Sequence, residues 1–160
     1  MTYTKSSPML PDYMKTIAIS GGFDPVHIGH IHMLQAAKWY GNVIVIVNSD
    51  EWLIRKKGFV FMPFDERLAI MSAFEGVVNA LRVDDRDDTV CEALKLIKPD
   101  FFGNGGDRTD KNTPEQDVCK ELGIEVVFNL GGEKIQSSSE LVSPMKKWFN
   151  AKYDIKDELT

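Results

Sequence analysis

Residues 43–48 read "VIVIVN", apolar at every position but the last. An unbroken run of β-branched residues does not suit a sheet with one wet face; it belongs to a strand buried on both sides. Such a strand needs helices above and below it, and the flanking sequence supplies them. Upstream, the short β-branched segment "TIAIS" (16–20) ends in Gly21 and Gly22, and "IHMLQAAKWY" (31–40) has helical spacing closed by Gly41 and Asn42.

The same alternation continues downstream. Helical spacing recurs at 64–74, 88–97, 113–122 and 137–149, with Pro99 stopping the second of these and Pro114 opening the third. Short apolar pieces at 78–83, 99–104 and 124–130 read as strands. Strands alternating with helices of about ten residues imply parallel pairing through right-handed crossovers. The expected fold class is therefore α/β, a Rossmann-like doubly wound parallel sheet in a single domain. Residues 15–150 are assigned to that domain, residues 1–14 to a polar, proline-interrupted leader expected to be mobile, and residues 151–160 to a C-terminal tail.

Bulk properties exclude several function classes. A net charge of −5 does not provide the basic face of a duplex-binding protein, so no nucleic-acid partner is expected. No apolar run approaches the roughly 18 residues of a membrane span, and "MTYTKSSPMLPDYMK" lacks the apolar centre of a secretory signal, so a cytoplasmic location without membrane contact is expected. Cys91 and Cys119 stand apart without a CxxC pattern, as reduced thiols do.

In doubly wound sheets ligands bind beyond the carboxyl ends of the strands. The segments there are "GGFDPVHIGH", "NSDEW", "NGGDR" and "GGEKIQSSS". The first lacks the G-x-G-x-x-G dinucleotide fingerprint. Its glycines let the backbone approach a ligand, and His27 and His30 project from one face beside the free N–H groups of a helix start. Gly29 between them leaves a bare patch for a bulky anion. The arrangement suits a polyphosphate. A zinc site built from His27, His30 and His32 is the competing reading, but His32 falls on another face and no cysteine or carboxylate completes the set, so no metal-ligating side chains are assigned.

With these motifs laid out, the chain resembles the HxGH nucleotidylyltransferases, which include cytidylyl- and adenylyltransferases. "GGFDPVHIGHIHML" matches their G-x-F-D/x-x-x-H-x-G-H-x-x-x-L signature. "VIVIVNSDEWLIRKKG" is similar to the strand and basic loop of the heptose-phosphate adenylyltransferase and glycerol-3-phosphate cytidylyltransferase branch. "DERLAIMSAFEGV", "KPDFFGNGGDR" and "SSSELV" extend the likeness across residues 16–142. The chain departs from that branch at Asn104 and Arg108, where lysine and an aromatic residue are usual. It also lacks the arginine of the cytidylyltransferases' final loop, for which Lys134 is a substitute.

The resemblance implies attack by a phosphate monoester on the α-phosphorus of a nucleoside triphosphate, CTP or ATP, with release of pyrophosphate. The acceptor it implies is a small sugar- or polyol-phosphate. It places His27, His30 and Lys57 in catalysis, and Gly22, Phe23, Gly29, Lys56, Arg67, Gly105, Gly106, Asp107, Ser137, Ser138 and Ser139 in nucleotide binding. Asp24 and Asp50 would meet the acceptor's hydroxyls, Mg²⁺ would be the cofactor, and a homodimer the assembly. For dimerisation the sequence itself offers Trp52, Phe59, Phe61 and Phe64, more apolar bulk near the basic loop than one small core covers. Structural alternatives stand beside several of these roles. Ser137-x-x-Glu140 is also a capping box, Arg67 an ion-pair partner, Asp24 and Asp50 helix caps, and Gly105-Gly106 a plain turn. Transfer to nicotinamide mononucleotide or phosphopantetheine is the alternative activity, and a catalytically silent nucleotide-binding protein the alternative of another class.

Overall fold

The computed structural model describes residues 14–106, 108–111 and 113–153. Five strands, β1 (Thr16–Gly21), β2 (Asn42–Val47), β3 (Val77–Arg82), β4 (Phe101–Gly103) and β5 (Glu125–Val127), form one sheet in the order β3-β2-β1-β4-β5. Every adjacent pair is parallel. The chain moves outward from β1 to β3, then returns to lay β4 on the free side of β1. The strand order thus reverses between β1 and β4, which opens a crevice at their carboxyl ends.

Helices α1 (Ile28–Ala37), α2 (Asp50–Lys57), α3 (Phe64–Ala73), α4 (Cys91–Ile97), α5 (Gln116–Leu122) and α6 (Ser138–Tyr153) complete the described elements. Ile17, Ile19, Val43, Val45 and Val47 point to one face of the sheet, where Met33 and Leu34 of α1 and Met71 of α3 cover them. Ala18, Ile46 and Phe102 point to the other, against Leu94 of α4 and Cys119 of α5. The central strands are buried on both faces, as the apolar run at 43–48 requires. Cys91 and Cys119 are free thiols.

One expectation is corrected outright. The segment after β2, read as a basic loop, is helix α2. Ser49 caps it by accepting the Trp52 N–H at 3.0 Å, Asp50 and Glu51 occupy its first turn, and Arg55, Lys56 and Lys57 its last. Gly58, at φ +83°, stops it. Caps and charges match the dipole, but only Leu53 is buried, so apolar periodicity could not reveal the helix. β5 ends at Val127 rather than at 130, because Asn129, Gly131 and Gly132 adopt left-handed φ values of +56°, +82° and +84°. α6 runs through Tyr153, three residues into the segment assigned to a tail. The assignments for residues 1–13 and 154–160 lie outside the described residues.

Candidate active site

β1 delivers the chain to a tight turn in which Phe23, buried, takes φ +52°. At Gly22 a Cβ would stand 2.7 Å from Leu53 Cδ2, so the bare backbone lets α2 press directly onto this turn. His27 follows as the N-cap of α1. Its Nδ1 accepts the Gly29 N–H at 3.1 Å, while His30 Nδ1 accepts the His27 N–H at 3.2 Å. The two imidazoles form a reciprocal capping box, in the roles usually held by Ser or Thr and Glu. Their rings stack at 3.8 Å between centroids, and Phe23 meets His30 edge-on at 4.9 Å.

This geometry fixes the protons. An Nδ1 that accepts a backbone N–H carries no hydrogen, so each neutral ring holds its proton on Nε2. Burial, reinforced by the adjacent His27, pushes His30 down to about 3. Burial also lowers His27; Lys134 adds to that shift and Glu140 opposes it. At neutral pH the pair is two uncharged Nε2–H donors at the wall of the cleft, not two cations.

Gly29 lines the cleft and also serves the cap. A Cβ there would stand 2.9 Å from His27 Cε1 and 3.1 Å from its Nδ1, so the missing side chain makes room for the capping ring.

The cleft at the β1–β4 reversal has a volume of about 680 Å³, within the range of small-molecule sites. It brings together the motif turn with His27 and His30, Lys56 and Lys57 of α2, Gly105 and Gly106 after β4, and Ser137 to Ser139 at α6. Asp107 lies outside the described residues. Of the serines, Ser137 Oγ accepts the Glu140 N–H at 3.2 Å and Ser138 Oγ donates to the Pro25 carbonyl at 2.8 Å. Ser137 thus makes one half of the capping box read there, its own N–H donating to Gln136 Oε1 at 3.0 Å rather than to Glu140, and Ser138 ties α6 to the motif loop.

Arg67 and Asp50 are not brought to the cleft. Arg67 is wholly buried and donates to the carbonyls of Met62, Gly22 and Asn48 and to Asp50 Oδ1 at 2.6 Å. The ion-pair alternative is what the structure places here, and it occupies both residues. Asp24 is buried too. Its carboxylate accepts the Phe61 and Met62 N–H groups and pairs with Lys57 Nζ at 2.7 Å, although the residue lines the cleft.

Other lining residues escaped the sequence reading. Trp52 is hidden inside the unrecognised α2, and Gln136 precedes the serines without a motif of its own. Gly131 is legible only as half of a Gly-Gly pair; a Cβ there would lie 2.7 Å from the Met33 nitrogen, so the loop after β5 docks backbone to backbone on α1. Among the described residues no group of three or more His, Cys, Asp or Glu is placed to hold a metal, and no helix is long and apolar enough to cross a membrane.

Comparison with known proteins places this geometry in a family. The Cytidylyltransferase-like family profile matches residues 18–149. "Bifunctional protein HldE" of Sulfurimonas denitrificans is 36% identical over 112 residues, 68% of this chain and 23% of that protein. The chain spans about a quarter of the length of the first such relatives. The crystal structure of the lipopolysaccharide core biosynthesis protein from Thermoplasma volcanium superposes with a TM-score of 0.62 at 27% identity, covering 72% of this chain and 93% of that one. A bifunctional NMN adenylyltransferase/ADP ribose pyrophosphatase from Francisella tularensis shares the fold, with a TM-score of 0.59 at 13% identity over 86% of this chain and 43% of its own. With its stacked histidine cap, its reversed strand order and this family match, the chain belongs to the cytidylyltransferase-like family.

Proposed function

We propose that residues 15–150 form a nucleotidylyltransferase that moves a nucleoside monophosphate from CTP or ATP to a small sugar- or polyol-phosphate. An oxygen of the acceptor phosphate forms a bond to the α-phosphorus, the bond to the β-phosphate oxygen breaks, and pyrophosphate leaves. No general base is needed, because the attacking oxygen is already anionic at neutral pH. What the reaction needs is alignment of two anions and fixed donors for the charge that grows on the α-phosphate and leaving group.

The observation that carries this reading is the neutral His27–His30 pair. With both Nδ1 atoms committed to backbone, each ring keeps one Nε2–H whose orientation is set before a ligand arrives. Lys57, Lys134 and the start of α6 line the same cleft and add positive potential. Uncharged imidazoles beside lysines hold a triphosphate without binding pyrophosphate as tightly as four cations would.

Mg²⁺ fits this site only as a companion of the nucleotide. Asp24 is saturated and Glu115 already accepts the Val90 N–H, so the cleft lacks a carboxylate cage. Mg²⁺ is commonly held by substrate phosphates and water, where it would offset the triphosphate's charge.

The test is a pyrophosphate-release screen crossing CTP, ATP, UTP and GTP with a panel of phosphate monoesters. Release with a sugar- or polyol-phosphate is expected, with CTP favoured for a small polyol phosphate and ATP for a heptose phosphate. A stronger response to nicotinamide mononucleotide or phosphopantetheine would move the assignment to those acceptors. Tight nucleotide binding with no release for any acceptor would make the protein a binder rather than an enzyme.

A further inference from the structure

Lys57 is the last residue of α2, yet its ammonium reaches back to the turn after β1. Nζ lies 2.7 Å from Asp24 Oδ2 and 2.5 Å from the Asp24 carbonyl oxygen, and sits 4.5 Å from the centre of the Phe59 ring. Two of the three ammonium hydrogens are thus directed at one residue, which leaves one for the cleft that Lys57 lines. A lysine stem is flexible and its charge strongly hydrated, so an unrestrained Lys57 would scatter over many rotamers. Here the side chain is only 12% exposed.

We propose that Asp24 is a positioning residue which seats the Lys57 ammonium so that its remaining N–H faces the bound phosphates. The inference rests on the nucleotidyl-transfer reading above. Asp24 does not meet substrate: it is 1% exposed, and Oδ2 serves both Lys57 and the Phe61 N–H while Oδ1 serves Met62. A substrate hydroxyl would have to displace one of these buried donors. The pairing also offsets part of the lysine's charge, so Lys57 presents an oriented donor rather than a loose cation. That arrangement favours charge that develops in the transition state over the tight holding of pyrophosphate.

A double-mutant cycle between Asp24→Asn and Lys57→Met tests this, read both as kcat/KM in pyrophosphate release and as affinity for CTP and ATP by calorimetry. Asn keeps the shape and one of the two oxygens that hold the strap at Phe61 and Met62, and removes the charge that seats the ammonium. Asp24→Asn should lower kcat/KM by about 10- to 100-fold, mostly in kcat. The double variant should match Lys57→Met alone, because Asp24 acts through Lys57. Additive losses, or Asp24→Asn turnover near wild type, would overturn the proposal. If Asp24→Asn fails to fold, Phe59→Leu removes the other contact on the ammonium; it should slow turnover with Lys57 present and be silent in Lys57→Met. A loss that persists in the Lys57→Met background would overturn the proposal from that side. Wild-type protein with neither nucleotide binding nor pyrophosphate release would remove the function and this inference together. Full wild-type turnover with an additive cycle would remove the inference alone.

Discussion

Arg67 Nη1 lies 2.6 Å from the Gly22 carbonyl oxygen and 2.8 Å from that of Asn48, so one buried guanidinium bridges the turns after β1 and β2. Its Nε adds Met62 and its Nη2 adds Asp50. Removing it would leave a cavity where a fully buried side chain stood, strip three backbone carbonyls of their donor and unpair the partly exposed Asp50. Arg67→Ala is expected to cost about 3–5 kcal/mol, read from urea midpoints at constant m. Arg67→Lys should recover only part of this, since an ammonium cannot reproduce the planar fork. A loss below about 1 kcal/mol would contradict the role.

Stability should rise with pH through the histidine range. His27 and His30 are held below the ordinary imidazole value of 6.5, His30 at about 3. Below pH 6.5 the unfolded chain binds protons on these rings that the folded chain refuses. Their contribution is therefore full above that value and is lost as pH falls toward the folded value. A single such group gives a limiting slope of about 1.4 kcal/mol per pH unit. Between pH 6.5 and 5, above the range of ordinary carboxylates, His30→Asn should flatten the dependence of Tm on pH. An unchanged slope would show that His30 is protonated in the folded protein.

Gly29→Ala isolates ring placement from folding. The new methyl would push the His27 ring rather than backbone, and the better helix propensity of alanine offsets the weakened cap on the residue's N–H. Misplacing a catalytic donor by about 1 Å costs on the order of 10²-fold in rate, so kcat should fall steeply while Tm changes little. Unaltered turnover would mean that the position of His27 does not matter.

Excess chelator should abolish pyrophosphate release, and added Mg²⁺ should restore it. With no carboxylate cage among the described residues, chelation should leave the Tm of the nucleotide-free protein unchanged. Activity retained in chelator would remove Mg²⁺ from the reaction.

Self-association is expected, and α6 offers an apolar surface for it besides the one around the exposed Phe61. Phe64 is in the core, while Leu141, Met145, Trp148, Phe149 and Tyr153 are all exposed along α6. Their spacing of i, i+4, i+7, i+8 and i+12 makes one apolar stripe. Light scattering at micromolar concentration should give a dimer mass, and Trp148→Glu should shift it to monomer. A monomeric wild type would exclude the assembly.

The sheet was legible because its signals are local. Apolar runs, glycine stops and alternation sufficed to expect all five strands and every described helix but α2. α2 was lost because its stabilisation comes from caps and charges, with one buried leucine. The histidine pair was legible as a motif, but its use of imidazoles as mutual helix caps was not, since that depends on ring orientation. Arg67 shows the limit most clearly: its partners come from four separated positions, and no pattern around residue 67 announces them.

The bond from Ser138 to the Pro25 carbonyl closes a span of 113 positions. A contact between such distant points carries a larger loop-closure cost than the neighbouring turns do. Val142 is the one buried residue of α6. The start of α6 is one wall of the cleft, and the Ser138 bond ties it to the motif loop on the other side. A nucleotide that touches both walls would act as a clasp, and its binding energy would appear first as slowed hydrogen exchange in α6.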